Sequence, residues 1–301
     1  MPRVPEDRVA FDVCPLCSGR EFRRVPTVDT GPVVRCRACG LCFANPQPSD
    51  RELAQIYGND YVLAPDGSAA GAEIVRSKRA TADHYLDLLA THGIDPRGRL
   101  LEVGCGAGNF LLQAVARGFH VTGIEYSPFA CQRARETLGG RGRVLQGEID
   151  VLKDDSGAYD VCVLCDVIEH VRDPATFLRH VFRLLRPGGA VLVVTPSLDS
   201  WSARLMRARW MEFKPEHLFY FDRRTIARQL VGAGFYDLAF HRGTKRLSLD
   251  YVAAHFDKYP VPGVTHGLRF LRAISPAALR QKLFPIVASG LVALARKPIG
   301  E

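Results

Sequence analysis

The sequence predicts a doubly wound α/β sheet of parallel strands with a small ribbon at its N-terminal end. Three observations carry that prediction. From residue 100 onward short β-type runs alternate with helical ones, a glycine-rich turn follows the first of these runs, and two Cys-x-x-Cys pairs stand near the N-terminus. Strand and helix in alternation imply parallel strands joined by right-handed crossovers. A chain of 301 residues, 47% apolar and 24% charged, can bury a core of that size, and its composition excludes a disordered or collagenous protein.

The ribbon comes first in the chain. Cys14-Pro15-Leu16-Cys17-Ser18-Gly19 is followed, after 18 intervening residues, by Cys36-Arg37-Ala38-Cys39-Gly40. Two such knuckles can turn four thiolates toward one tetrahedral Zn2+. Four thiolates close the coordination sphere, so a zinc held by Cys14, Cys17, Cys36 and Cys39 is expected to be structural and to hold a segment too small for its own core. Cys42, Cys131, Cys162 and Cys165 read as buried thiols outside this set.

Asn45-Pro46-Gln47-Pro48-Ser49-Asp50 reads as a linker whose Ser49 or Asp50 caps a helix beginning near Glu52. The Gly/Ala-rich stretch from Ala64 to Ala72 is expected to be a loop, and Ile74 to Thr91 a helix ending before Gly93. The expected strands are Leu100–Val103, His120–Glu125, Val144–Gln146, Tyr159–Cys165 and Ala190–Thr195, with helices over Phe110–Arg117, Phe129–Leu138 and, capped by Asp173, Pro174–Leu185. Trp201 to Phe221 is aromatic and basic and reads as a cover over the sheet, before a helix capped by Asp222. Phe235–Phe240 and Gly290–Ala295 are expected as two final strands, the second at the sheet edge. A mostly helical insertion, Arg242 to Pro285, lies between them. A surface-lying amphipathic helix over Leu268 to Leu283 is an alternative for the end of that insertion. The domain expectation is therefore a ribbon over residues 1–48, a linker and leading helices over 49–95, and a catalytic-size domain over 96–301 with its insertion at about 242–286.

Leu100-Leu101-Glu102-Val103-Gly104-Cys105-Gly106-Ala107-Gly108-Asn109-Phe110 is a strand, a glycine turn and a helix start, at the junction where doubly wound sheets bind cofactors. The dinucleotide pattern G-x-G-x-x-G is absent, as is a phosphate-binding G-K-S/T. Glu125, 23 residues after Glu102, ends the second strand where a carboxylate can accept hydrogen bonds from a ribose diol. Together with Gly147-Glu148-Ile149, Tyr159-Asp160-Val161 and Leu185-Arg186-Pro187-Gly188-Gly189, these residues resemble the class I S-adenosylmethionine-dependent methyltransferases over roughly residues 75 to 297. The resemblance implies a seven-stranded Rossmann-like sheet. It also implies that Gly104 and Gly106 pack against the methionine part of the cofactor and that Glu102 orients the loop. Glu125 would hold the ribose hydroxyls and the Glu148-Ile149 backbone would lie near the adenine, with Cys105, Gly108, Tyr126 and Asp166 also expected among the cofactor-binding residues. A ribbon ending in Cys-Gly-Leu-Cys-Phe-Ala-Asn-Pro is similar to that of a bacterial subgroup modifying small molecules, sugars or surface glycans.

Asp166-Val167-Ile168-Glu169-His170 follows the strand expected to end beside the transferable methyl, and a single helical turn would put Asp166, Glu169 and His170 on one face. Downstream, Pro215-Glu216-His217-Leu218 supplies a second histidine. This pair of segments resembles ubiquinone-pathway O-methyltransferases and small-RNA 2′-O-methyltransferases, where an acid-x-x-Glu-His motif and a later histidine bind a divalent cation. The RNA enzymes have glutamate where Asp166 stands. Three readings follow: Asp166, Glu169, His170 and His217 hold Mg2+ or Mn2+ that activates an acceptor hydroxyl; His170 or His217 acts alone as a base; or the carboxylates bond loop amides while the histidines shape the pocket.

Residues 241–301 carry ten Lys/Arg against three Asp/Glu, and residues 201–240 seven against four. That basic last third suits a phosphate- or carboxylate-bearing partner, or a solvated surface. The expected activity is methyl transfer to a hydroxyl of a small molecule or sugar, anionic or nucleotide-linked acceptors included. Carbon or nitrogen methylation, and ribose methylation of RNA, are the alternatives, nucleic acid being disfavoured because no stacking platform is evident. The longest uncharged apolar run, Leu283 to Ala295, is thirteen residues and contains a proline, too short for a transmembrane helix, although peripheral membrane contact stays open. No signal-like apolar stretch follows the charges of the first residues, so a cytoplasmic location is expected. Oligomeric state leaves no trace in the sequence.

Overall fold

The computed structural model describes residues 7–28, 30–56, 69–261 and 263–300. Two sheets organise the chain. The first has the order β1-β2-β3-β9, with β1 at Phe22–Val25, β2 at Val33–Cys36, β3 at Cys42–Ala44 and β9 at Phe219–Tyr220. The second is the seven-stranded sheet, made of β4 (Arg99–Val103), β5 (His120–Glu125), β6 (Arg143–Gln146), β7 (Tyr159–Cys165), β8 (Leu185–Pro196), β10 (Tyr236–Leu247) and β11 (Phe284–Arg296). Its order is β10-β11-β8-β7-β4-β5-β6, with β11 antiparallel to both of its neighbours and the other pairs parallel. Because β4 lies between β5 and β7, the direction of winding reverses there, and the crevice beyond the carboxyl ends of β4 and β7 is the natural ligand position.

Local sequence sets the helix ends. The helix α1, Asp50–Ile56, begins in a capping box in which Ser49 Oγ accepts from the Glu52 amide and Glu52 accepts from the Ser49 amide. The helices α2 (Ala69–Thr91), α3 (Asn109–Arg117) and α4 (Pro128–Leu138) cover one face of the large sheet. Leu86, Leu89, Leu111, Ala114, Ala134 and Leu138 are buried there. On the other face α5 (Pro174–Leu184), capped by Asp173, packs with α7 (Arg223–Gly232), capped by Asp222. The ribbon shares this second core: Leu41, Phe43, Phe219 and Phe221 cluster with Leu178, Val181 and Leu230. Between β8 and β9 runs α6 (Trp201–Met206), and between β10 and β11 lie α8 (Leu249–Lys258), α9 (Val264–Ile274) and α10 (Ala277–Arg280).

Five expectations need correction. The segment expected as a cover over the large sheet gives its last residues, β9, to the ribbon sheet, where Cys42 opposes Tyr220 and Phe43 opposes Phe219. The final strands are much longer than their apolar centres, because β10 and β11 pair through Leu247 and Phe284, which shortens the insertion to residues 248–283. The strand β11 is interior and β10 takes the edge. The continuous helix given as an alternative over Leu268 to Leu283 is broken at Ser275-Pro276 into α9 and α10. Of the Ala64–Ala72 loop, residues 64–68 lie outside the described residues and 69–72 form the first turn of α2. No helix among the described residues is long and apolar enough to cross a membrane.

The long hairpin turns on one close approach. A Cβ placed on Gly243 would lie 2.5–2.6 Å from the backbone of Gly290, whereas one on Gly290 would come no closer than 3.5 Å to Gly243. Gly243→Ala is expected to destabilise the protein by about 1–3 kcal/mol, and Gly290→Ala by much less, in urea unfolding.

Candidate active site

The turn after β4 is built for close backbone approach. Gly104, Gly106 and Gly108 all have positive φ, and a Cβ on Gly104 would lie 2.7 Å from the Val167 side chain, so the loop after β4 meets the loop after β7 without space for a side chain. The carboxylate of Glu125 holds this turn. Its Oε2 accepts from the Gly106 amide at 2.8 Å and its Oε1 from the Ser127 amide at 2.9 Å. Glu102, expected to orient the loop, lies buried beneath it, with a hydrogen bond from the Leu111 backbone of α3 to its carboxylate and Oε2 unpartnered among the described residues. Burial, and then the charge of Glu125, hold its carboxyl well above the usual carboxylate range. Cys105 is buried, with Sγ directed at the position of Gly123, so only its backbone is open to a ligand. Tyr126 is 64% exposed, Glu148 is exposed and Ile149 is buried.

Sequence reasoning missed two lysines of this crevice. Lys245, from β10, lies 3.3 Å from Asp166 Oδ2, and that carboxylate raises its pKa. Lys78, from α2, is an exposed residue, yet desolvation by the surrounding protein pushes its ammonium down, while the charges of Asp166 and Glu102 act the other way. Neither lysine carries a motif. They come together because β10 runs past its apolar centre and α2 crosses beside it.

Beyond β7 the expected quartet becomes a trio. Asp166 has a φ of +53°, in the left-handed region, and the helical turn covers only Ile168–His170. Asp166 therefore does not share a face with Glu169 and His170, and it pairs with Lys245 instead. The ligating atoms of Glu169, His170 and His217 all lie within 4.8 Å of one another. Glu169 is 1% exposed; its Oε2 accepts from Thr195 Oγ1 at 3.0 Å, and its Oε1 has no partner among the described residues. Nδ1 of His217 is likewise buried and unpartnered. Nδ1 of His170 lies 3.0 Å from the Glu216 carbonyl, which can only accept, so this nitrogen carries the proton and Nε2 presents a lone pair. The two imidazoles meet edge to face at 4.7 Å.

Burial dominates the electrostatics of the trio. It raises the Glu169 carboxyl well above its ordinary value, with the charge of Asp166 adding to the effect. It lowers both imidazoles, His217 to about 3 with help from His170 and Lys214. Two neutral imidazoles and a carboxyl with an orphaned oxygen form a donor set that fits a divalent cation, whose charge would favour the ionised carboxylate.

The ribbon fixes the position of His217. Leu218 donates its amide to the Glu169 carbonyl at 2.8 Å, and its own carbonyl accepts from the Ala44 amide at 2.9 Å. Cys14, Cys17, Cys36 and Cys39 converge, with Sγ–Sγ separations of 3.5 Å for Cys14–Cys39 and 3.6 Å for Cys17–Cys36. A tetrahedron with Zn–S bonds of about 2.3 Å has edges of roughly 3.8 Å, so the cluster fits that ion. Burial opposes ionisation of Cys36, yet the backbone amides of Cys39 and Ala38 bring its thiol down to about 7. Burial pushes Cys14 up to about 11.

Comparison with known proteins adds the family. Residues 74–239 match the family described as "Methyltransferase domain". The chain is similar to the ubiquinone biosynthesis O-methyltransferases of Caulobacter sp. (38% identity over 103 residues, 32% of this chain and 40% of the relative) and of Pseudomonas aeruginosa (34% over 123 residues, 37% and 52%). The match thus spans between two fifths and about half the length of these relatives. Among solved structures it resembles the Burkholderia thailandensis 1,6-didemethyltoxoflavin-N1-methyltransferase (TM-score 0.51, 18% identity, 86% of this chain and 96% of that one). It also resembles the cyclase SpnF (TM-score 0.51, 22% identity, 85% and 99%). At these identities the likeness shows the fold alone, and a cyclase on the same frame underlines that chemistry must be argued from the site.

Replacing Glu125 by alanine removes the acceptor of two loop amides. S-adenosylhomocysteine binding measured by calorimetry is expected to weaken roughly 10- to 100-fold, since each such charge-assisted bond contributes about 1.5–3 kcal/mol, and Glu125→Gln should lose less.

Proposed function

The chain belongs to the methyltransferase-domain family and is an S-adenosylmethionine-dependent methyltransferase, and from that premise we propose that it methylates a hydroxyl of a small molecule with a divalent cation held by Glu169, His170 and His217. The observation that carries the reading is the pair of buried ligating atoms without partners among the described residues, Glu169 Oε1 and His217 Nδ1, in a cluster 4.8 Å across. Buried polar atoms without partners cost free energy, and a cation is the partner this donor set fits. Two imidazoles and one carboxylate favour Mn2+ or another borderline ion over Mg2+, which prefers oxygen. The O-methyltransferase names of the curated relatives support a hydroxyl as the acceptor.

The cofactor, when bound, supplies a methyl group on a positively charged sulfur. The residues of this chain orient the partners of that displacement. The loop Gly104–Gly108, held by Glu125 with its Gly104, Cys105, Gly106 and Gly108 amides engaged within the fold, allows close backbone approach of the cofactor, and Lys78 provides the cation suited to the cofactor's carboxylate. We assign Tyr126 to the ribose side, and Glu148 and Ile149 to the adenine side, of the same crevice. A divalent ion, when bound, supplies Lewis acidity that lowers the pKa of a hydroxyl. Lys245 pairs with Asp166, which leaves that carboxylate outside the ligand trio and beside the crevice. An imidazole held down to about 3 is a poor proton acceptor near neutral pH, so His217 is better suited to ligation than to general-base work. The four-cysteine cluster of the ribbon is proposed as a structural zinc site that keeps His217 in register.

The reading is tested by methyl transfer from labelled cofactor to a panel of catechols, phenols, sugars and amines. The expected outcome is hydroxyl methylation that needs Mn2+, is abolished by a chelator that leaves cofactor binding intact, and falls about a hundredfold or more in Glu169→Gln and His217→Ala. Methylation of amines or carbon acids at a rate indifferent to chelator and to both substitutions would overturn it.

A further inference from the structure

The helix α9 carries its apolar side away from the protein. Thr265, Arg269 and Arg272, at i, i+4 and i+7, form the side that faces α8: Thr265 is buried with Oγ1 on the Phe256 carbonyl, Arg269 pairs with Asp257 at 2.7 Å, and Arg272 with Asp250 at 2.9 Å. The opposite side presents Val264, Leu271 and Ile274 along one stripe, with Phe270 beside them. Phe270 is 64% exposed, Ile274 62% and Leu271 48%, and Leu279 of the next helix is exposed as well. An ordinary surface helix has the reverse arrangement, because burying apolar area is what holds it in place. Here ion pairs attach the helix, and the apolar stripe has no partner among the described residues.

The charge of this ridge indicates its occupant. Residues 249–283 carry Lys258, Arg269, Arg272, Arg280 and Lys282 against Asp250 and Asp257. The surplus is positive even after both aspartates are paired. Phenylalanine and aliphatic side chains on one side and arginine and lysine on the other and at the margins are the pattern of a helix that lies in a membrane interface. We propose that α9 and α10 dock this protein on the surface of an anionic lipid bilayer, with Phe270, Leu271, Ile274 and Leu279 entering the headgroup boundary and the neighbouring cations meeting the lipid charge. The helix α10 is tied to α2 through the Arg76 contact with the Gln281 carbonyl.

Vesicle co-sedimentation of the full chain tests this. The expected result is binding to phosphatidylcholine vesicles containing phosphatidylglycerol, weak binding to phosphatidylcholine alone, and loss of binding with added salt. The double variant Phe270→Glu, Ile274→Glu should bind about tenfold more weakly or worse, while cofactor binding and thermal unfolding stay as in the parent protein. The proposal is overturned by absence of vesicle binding, or by vesicle binding that the double variant retains. It is equally overturned by concentration-dependent self-association in sedimentation velocity that the variant abolishes, which would make a second copy the occupant.

Discussion

Leu218 holds two parts of this protein together. Its amide donates to the Glu169 carbonyl and its carbonyl accepts from the Ala44 amide, so one residue links the turn after β7 to the ribbon strand β3. The side chains of the proposed cation site sit on either side of that link: Glu169 and His170 on one segment, His217 immediately before Leu218 on the other. Each hydrogen bond is worth only about 1 kcal/mol in net stability. Their importance is geometric, because a cation ligand set tolerates displacements of only a few tenths of an ångström. The ribbon adds apolar support, since Leu41, Phe43, Phe219 and Phe221 belong to the same core as the helices α5 and α7.

That support is needed because the site is costly to fold. Glu169 Oε1, His217 Nδ1 and Glu102 Oε2 are buried without partners among the described residues. Burial also works against the ionised carboxyl of Glu169 and the charged forms of both histidines. A rigid surround can maintain such atoms until a ligand satisfies them. The same logic places Glu125 differently from Glu102: the former is satisfied by two amides before any cofactor arrives, and so can shape the loop in advance.

Much of the frame was legible in the sequence because it rests on local rules. Period switching gave the five parallel strands, the capping residues Ser49, Asp173 and Asp222 gave helix starts, and cysteine spacing gave the four-thiol cluster. What escaped depends on contacts between distant segments. The tail of the aromatic segment has no pattern that says it will become the fourth strand of the ribbon sheet. The i, i+3, i+4 spacing of Asp166, Glu169 and His170 promised one face, but the backbone takes a left-handed step at Asp166 before the turn begins. The pairing of that residue with Lys245 depends on how far β10 extends, which the charged and polar residues Arg242 to Arg246 conceal. The inverted orientation of α9 was equally hidden, because amphipathic spacing reveals that a helix has two sides without revealing which one is covered.

If Leu218 makes the ribbon and the ligand trio one unit, damage to the first must be felt in the second. The most direct measurement is Mn2+ affinity, followed by electron paramagnetic resonance, in a Cys17→Ser, Cys36→Ser variant whose Glu169, His170 and His217 are untouched. Loss of the proposed ribbon zinc is expected to weaken Mn2+ binding by about tenfold or more, as removal of an orienting support does, while S-adenosylhomocysteine binding at the loop after β4 changes little. Unaltered Mn2+ affinity in a zinc-free ribbon would contradict that coupling.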